Sequence, residues 1–249
     1  MSKKWTFHIL RAVLLLFILL LAFIGPSAVE PDELSRDALS ILEPEPSSNA
    51  PPTAISQDEL ERMEEALEAL RVLVQTHPAP EISHDLNELV ETRQVYLNLQ
   101  DHVVGSDQNI ASARYINTPQ GVHLTLVVSP RLLLDPDISH EFKQLVIYHE
   151  YIHIRQQLTG STPSWLAIGV PPETLTDDEI RIFIDAEMEA YVAECRLAER
   201  IHAIQSFELC VIYGNGGLSA MRAAYSRILA ASPGYARVSE RVIRIGTEF

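Results

Sequence analysis

Two histidines and a glutamate lie close together in the stretch His149-Glu150-Tyr151-Ile152-His153. Residues four apart on an α-helix lie one turn apart on nearly the same face, so both imidazoles can meet one divalent cation. Glu150 lies about 100° around the helix from His149, which places its carboxylate beside the cation rather than on it. There it is able to take a proton from a water molecule, so the spacing indicates metal-assisted hydrolysis.

A metal centre of this kind needs a third protein ligand and an open position. Three downstream glutamates are candidates. Glu173 follows Pro171-Pro172 and precedes a predicted helix cap at Thr176, so it is expected to lie in a loop. Glu187 and Glu189 are expected in the middle of the next helix. The residue types leave the choice among the three open.

At this point the chain resembles the zincin metallopeptidases, and among them the gluzincins, which take a third zinc ligand from a later helix. The string Glu187-Met-Glu-Ala-Tyr191 is similar to the E-x-E-A-D sequence of membrane-associated gluzincins, whose first glutamate binds zinc. The resemblance covers about residues 138–200. It implies that the two histidines and Glu187 bind Zn²⁺ and that Glu150 is the general base. Tyr191 stands where those enzymes have aspartate, so the residue that supports the zinc ligands is not identified by the motif.

Helices and a hairpin are predicted before the motif. A capping box at Ser56 and Glu59 opens a helix over residues 58–76, and apolar spacing predicts a second helix over about residues 83–99. Residues 111–116 and 122–128 are typical of strands joined by a turn. The strand at 122–128 could align an extended peptide by strand addition, and an ordinary core hairpin fits its pattern equally well.

The motif itself falls within a predicted helix over about residues 138–158. A capping box at Thr176 opens another long helix, to about residue 204, which carries two of the candidate glutamates. Gly214-Asn-Gly-Gly217 is typical of a turn, and a helix over residues 218–230 follows it. These elements predict an α+β fold that is predominantly helical, with a zincin-like metal helix beside a small antiparallel β-hairpin.

The first 28 residues are typical of an export signal. Lys3 and Lys4 precede an unbroken apolar run of 13 residues, 12–24, which is shorter than the roughly 20 needed to span a bilayer unaided. Residues 1–28 are therefore expected to be a cleaved signal peptide or a membrane anchor through residues 9–24. Both alternatives place the rest of the chain outside the cytoplasm.

Acidic side chains are concentrated early in the chain. The net charge is −15, and residues 29–68 carry twelve acidic side chains and only two basic ones. Residues 29–56 are also rich in proline and serine, which predicts an extended acidic linker. Residues 57–249 are expected to form one domain of ordinary size, which the resemblance to the gluzincins implies is a zincin-like metallopeptidase domain. Because a phosphate backbone needs a basic surface, nucleic acid is not expected as a partner.

Cys195 and Cys210 are the only cysteines. In an exported chain an even number of cysteines predicts one disulfide, and two buried free thiols are the alternative.

These observations favour an exported or membrane-tethered zinc metallopeptidase that hydrolyses peptide bonds in peptides or proteins. The alternatives are an inactive zincin-like module that binds metal and serves a binding or regulatory role in the cell envelope, and a helical envelope protein with a fortuitous motif. Hydrolysis also needs a donor to the oxyanion. The chain offers five candidates: Tyr151, Tyr191, Arg196, His202 and Tyr213.

Overall fold

The structure is a computed structural model in which residues 56–100, 110–118, 121–168 and 170–248 are described. The predicted leader at 1–28 and the linker up to residue 55 lie outside the described residues. Among the described helices, none has the length and apolar character needed to cross a membrane. The described helices are α1 (Gln57–Gln75), α2 (Asn87–Glu91), α3 (Pro130–Leu134), α4 (His140–Thr159), α5 (Trp165–Ile168), α6 (Asp177–Arg200), α7 (Glu208–Ala230) and α8 (Ser239–Thr247), and the strands are β1 (Tyr96–Leu99), β2 (Ala111–Thr118) and β3 (Gly121–Val128).

The predicted α+β, mostly helical fold is confirmed, with a small three-stranded sheet of order β1-β3-β2. β2 and β3 form the predicted antiparallel hairpin, in register from Ala111 opposite Val128 to Thr118 opposite Gly121. β1 adds to the other side of β3 in parallel. β3 therefore has a neighbour on both sides and offers no free edge to an extended peptide. Of the two alternatives for this strand, the structure agrees with the ordinary core hairpin. Within the described residues, β2 is one of the two edge strands.

The predicted second helix is also wrong over much of its length. A π-helical turn, Glu81–Leu86, leads into the short α2, and Arg93 then adopts a left-handed conformation with φ of 58°. The amide of Val95 donates to the carbonyl of Leu89 at 3.1 Å, which closes the helix end. Beyond it the chain forms β1, because β3 supplies backbone partners that apolar spacing alone does not reveal.

Local signals set both ends of α4, the helix that carries the histidine motif. The Ser139 hydroxyl accepts a hydrogen bond from the amide of Phe142 at 3.3 Å, and Gly160 ends the helix with φ of 67°. Both ends agree with the predicted helix to within two residues. α4 packs against β2 on one side and α6 on another, so the middle of the helix is buried.

α6 begins with the predicted capping box, in which Thr176 and Glu179 each bond the other's backbone amide. It ends at Arg200, four residues before the predicted end. The break predicted at Gly214-Asn-Gly-Gly217 is present at its last residue, because α7 consists of two helical segments that meet in a kink at Gly217. Gly217 has φ of 70° and ψ of −167°, which glycine adopts at little cost. The second segment ends at Ala230, as predicted for the helix over residues 218–230.

The predicted disulfide is confirmed between Cys195 and Cys210, whose Cα atoms are 5.1 Å apart. It joins the C-terminal part of α6 to the start of α7. The buried apolar residues of α1, the sheet, α4, α6, α7 and α8 form one cluster. The helices that surround the histidine motif therefore belong to one packed core.

Candidate metal centre

Two long helices bring three metal-ligating side chains together. α4 contributes His149 and His153, and α6, which packs against α4, contributes Glu187. The donor atoms of these side chains all lie within 4.8 Å of one another. His149 is 4% exposed and Glu187 is 6% exposed, whereas the His153 side chain is 19% exposed. These three residues could therefore hold a metal ion.

The distances between the donor atoms are those of a small coordination site. His149 Nε2 lies 3.1 Å from His153 Nε2 and 3.6 Å from Glu187 Oε2. His153 Nε2 lies 3.4 Å from Glu187 Oε1. Ligand atoms at the corners of a tetrahedron with bonds of about 2.0–2.1 Å are about 3.3 Å apart. The two distances to Glu187 are to different oxygens of its carboxylate, so both oxygens lie close to the histidine nitrogens. The spacing leaves room for one small cation among the three side chains.

Glu194 orients the ring of His149. Its Oε2 lies 2.9 Å from Nδ1 of the histidine, and both side chains are buried. Because a carboxylate can only accept, the proton is on Nδ1, and Nε2 keeps its lone pair toward the cluster. Pairs of this kind fix the tautomer of a metal-ligating histidine and raise its basicity.

Gln156 orients the ring of His153. Its Oε1 lies 2.9 Å from Nδ1 of that histidine. The amide nitrogen of Gln156 donates to the carbonyl of Ala186 at 3.0 Å and to the carboxylate of Glu189 at 2.9 Å. These two acceptors leave the amide oxygen to receive the histidine proton, so Nε2 of His153 also presents a lone pair.

The cluster strongly favours a positive charge. Burial lowers the pKa of His149, but its hydrogen bonds and charge interactions with Glu187 and Glu194 raise it by more, so the net pKa is well above the ordinary value. The Nε2 atoms of the two histidines also face each other at 3.1 Å. Two lone pairs at this distance repel unless a proton or a metal cation lies between them.

Glu150 lies beside the cluster without belonging to it, as the sequence predicted. Its side chain is buried, and its Oε2 accepts a hydrogen bond of 2.7 Å from the amide of Ala113 in β2. Burial raises the pKa of Glu150, although the nearby His153 and His149 lower it. A carboxylate with a raised pKa beside a metal site is suited to accept and return a proton.

Tyr191 packs against His149 of the cluster. It is 2% exposed, and its ring meets that of His149 edge-on with centroids 4.6 Å apart. The supporting carboxylate that the motif lacks at position 191 comes instead from Glu194. This residue lies seven positions after Glu187, two turns along the same helix face, and that spacing was the signal by which the sequence could have revealed it. Tyr151, another of the residues considered as a donor to the oxyanion, donates a hydrogen bond from its hydroxyl to the carboxylate of Asp85 at 3.2 Å.

The two alternative third ligands lie outside the cluster. Glu173 is in a 3₁₀ turn, Pro172–Thr174, and its carboxylate lies 3.6 Å from the guanidinium of Arg237. The carboxylate of Glu189 accepts a hydrogen bond from Gln156, which in turn contacts His153, so Glu189 supports that histidine through Gln156. Among the three candidate glutamates, the structure brings only Glu187 to the two histidines.

A small pocket adjoins His149 and Glu150. Its walls are largely apolar or aromatic, and Glu194 contributes a carboxylate. The lining residues are Phe142, Val146, His149, Glu150, Tyr191, Glu194 and Phe207. Phe207 immediately precedes α7, so the pocket lies between α4, the C-terminal half of α6 and the start of α7.

The predominantly helical α+β fold thus brings together two histidines and a glutamate that could hold a metal ion, with the carboxylate of Glu150 next to them. Comparisons of the chain with protein-family models, with curated proteins and with solved structures found no significant match. The resemblance to the gluzincins therefore depends on the motif residues alone.

Proposed function

We propose that the chain is a zinc-dependent metallopeptidase that hydrolyses peptide bonds in a peptide or protein substrate, with Glu150 as the general base. The observation that carries this proposal is the convergence of His149, His153 and Glu187, whose donor atoms lie within 4.8 Å of one another, with Glu150 buried beside them. Zinc sites in hydrolases have three protein ligands and one further position, and two histidines with one glutamate form such a set.

Zinc is proposed because of the residue pattern. Two histidines and a carboxylate also bind Fe(II) in other proteins. The two histidines here, however, lie four residues apart on one helix with a glutamate directly after the first, which is the H-E-x-x-H arrangement that binds zinc in metalloproteases.

The residues around the cluster have defined tasks in such a reaction. Bound zinc supplies Lewis acidity, which lowers the pKa of water and polarises a carbonyl group. Glu150 accepts the proton of the attacking water and returns it to the amine that leaves. The amide of Ala113 holds Oε2 of Glu150 at 2.7 Å, which fixes the carboxylate while its other oxygen receives the proton.

β2 is the strand best placed to align an extended substrate. It is an edge strand among the described residues, and it contacts α4 beside the cluster. Because its Ala113 amide already bonds Glu150, a peptide laid along this edge would pass the general base. This assignment replaces β3, which lies in the middle of the sheet.

We also propose that the protein acts outside the cytoplasm, either secreted or held at the membrane by its N-terminal segment. The leader pattern in residues 1–28 supports export. The disulfide between Cys195 and Cys210 supports the same compartment, because disulfides persist under oxidising conditions. Fractionation of cells that express the full chain, with a test for the oxidised disulfide, checks this: a reduced chain in the cytoplasm would contradict it.

The experiment that tests the enzymatic function is the Glu150→Gln variant of the full chain. We expect it to retain one zinc per chain and to lose hydrolysis of a fluorescence-quenched, unfolded protein substrate by about 10²–10⁴-fold, since general-base catalysis contributes that much. Glu141→Gln changes an exposed glutamate on the same helix and is the matched control.

Three outcomes separate the hypotheses. Undiminished hydrolysis by Glu150→Gln would contradict the role of Glu150. Stoichiometric zinc in the wild type without cleavage of any peptide would favour an inactive metal-binding module. Absence of zinc from the folded wild type would contradict the metal centre itself.

A further inference from the structure

Arg114 follows Ala113 in β2, and the amide of Ala113 bonds the proposed general base. Side chains alternate between the two faces of a strand, so those of Ala113 and Arg114 lie on opposite faces of the sheet. Ala113 pairs with Leu126, which belongs to the core. Arg114 pairs with Thr125 on the other face. Arg114 therefore lies beside the proposed catalytic site but on the face of the sheet that is turned away from the core.

The guanidinium of Arg114 has no carboxylate partner within the described part of the chain. Its Nη2 donates to Oε1 of Gln100 at 2.6 Å, and its Nε is buried and has no hydrogen-bond partner. Burial lowers the pKa of Arg114 below its ordinary value, and no charge among the described residues offsets this effect. A partly buried cation with an unpaired donor costs free energy, and a carboxylate that bound it would recover that free energy.

Two further polar atoms on the same face are buried without a hydrogen-bond partner. They are Oγ of Ser112, two residues before Arg114 on β2, and Nε2 of His123, two residues before Thr125 on β3. A hydroxyl and an imidazole can both donate to an anion. The three strands contain no aspartate or glutamate. This face therefore carries donors for a negative group, and its own strands supply no such group.

An extended substrate paired with the free edge of β2 would bring one of its side chains to Arg114. Residues directly opposite each other in paired strands direct their side chains to the same face, with Cβ atoms about 5 Å apart. The substrate residue opposite Ala113 would lie next to Glu150, because the amide of Ala113 bonds that carboxylate. The residue opposite Arg114 would be its immediate neighbour in the peptide, with its side chain on the face that carries the unpaired guanidinium.

We infer that Arg114 is a specificity-determining residue that binds an aspartate or glutamate side chain of the substrate next to the scissile bond. The inference rests on the proposed function and names its substrate class, which is peptides with an acidic residue at that position. A guanidinium suits this task, because two of its N–H groups fit the two oxygens of a carboxylate. Gln100 holds the guanidinium in one orientation through Nη2 and leaves Nε unpaired.

The first measurement is the cleavage preference of the zinc-loaded, wild-type full chain. It is incubated with a mixture of synthetic peptides, and mass spectrometry identifies the bonds that are cut. The peptides have amidated C-termini, so that no terminal carboxylate can replace the side chain. We expect aspartate and glutamate to be enriched at one position next to the cut bond. Cleavage without any acidic preference there would overturn the inference and leave the proposed peptidase function standing.

Two fluorescence-quenched peptides that differ only by Glu or Gln at the enriched position then measure the contribution of Arg114. The wild type should hydrolyse the Glu peptide with a kcat/KM at least about 10-fold higher, as expected for a hydrogen bond between charged groups. Arg114→Gln should lower this ratio to about one, and Arg114→Glu should favour a peptide with Lys at that position. Arg131→Gln, which changes an exposed arginine just after β3, is the control and should leave the ratio unchanged.

The ratio separates specificity from stability, because a loss of folded protein lowers the hydrolysis of both peptides equally. Arg114→Lys keeps the charge but loses the planar pair of donors, so it should retain a smaller preference for Glu. This variant tests the inference independently of how well Arg114→Gln folds. A wild-type ratio in both variants would overturn the inference. A wild type that binds zinc but cleaves no peptide would overturn the proposed function, and the inference with it.

Discussion

His77 and His149 are both buried histidines. His77 contacts α4 and His149 belongs to it, but their ring nitrogens have different kinds of partner. Nε2 of His77 lies 2.9 Å from the carbonyl of Gln144, and its Nδ1 accepts from the amide of Ala79 at 3.1 Å. Main-chain groups thus occupy both nitrogens of His77. His149 has a carboxylate on Nδ1 and directs Nε2 toward another histidine.

The two environments change the charge of the ring in opposite directions. Burial lowers the pKa of His77, and its backbone hydrogen bonds only partly offset this effect. The pKa of His149 is raised, because Glu187 and Glu194 outweigh burial. A buried histidine satisfied by the backbone has a structural role, whereas one whose partners are carboxylates and which keeps a nitrogen for a cation has the features of a ligand.

The largest effect is expected from removing the third ligand. Glu187→Ala should weaken zinc binding by more than about 100-fold, beyond the range for outer partners, because it removes a coordinating atom. Glu173→Ala should leave zinc affinity unchanged, since Glu173 lies near Arg237 instead of the cluster. Chelator competition measures both values. The reverse pattern would show that the third ligand is Glu173.

A smaller effect is expected at the partner of His149. Glu194→Gln keeps the shape of the side chain but removes the charge that holds the imidazole proton. Zinc affinity should fall about 10-fold, with little change in the unfolding temperature of the metal-free protein. Glu199→Gln is a control on an exposed position of the same helix. Unchanged zinc affinity in Glu194→Gln would show that the Glu194 carboxylate does not distinguish His149 from His77 as a metal ligand.

The smallest effect is expected at His77 and depends on pH. Folding lowers the pKa of His77, so below about pH 6.5 the unfolded chain binds more protons at this residue than the folded chain does. The free energy of unfolding that neutral His77 contributes therefore decreases as the pH falls below about 6.5. His77→Gln should cost about 1 kcal/mol at pH 8 through a lost hydrogen bond.

Urea unfolding at several pH values measures this difference. The gap in unfolding free energy between the wild type and His77→Gln should narrow as the pH falls below about 6.5. The same substitution at His84, whose side chain is 78% exposed, should produce no such change. If the difference in unfolding free energy between the wild type and His77→Gln stays constant with pH, folding does not lower the pKa of His77.

The parts of the site that the sequence revealed are those with local signals. The i, i+4 spacing of His149 and His153 and the capping box at Thr176 both act within one or two helical turns. These signals were sufficient to predict the two helices that carry the ligands. The choice of Glu187 needed the motif resemblance as well, and the geometry of the cluster agrees with it.

The parts that the sequence did not reveal depend on packing between distant segments. The amide of Ala113 reaches Glu150 from 37 residues away along the chain. The strand β1 was mistaken for helix because its pairing with β3 is invisible in its own four residues. Such partners follow from tertiary structure and have no pattern in the local sequence.

The metal content of the purified full chain tests the central claim most directly. Elemental analysis should find one zinc ion per chain in the wild type and none in His153→Ala, a variant that removes the most exposed of the three ligands. A folded wild type without zinc, or a His153→Ala variant that retains one zinc per chain, would contradict the account.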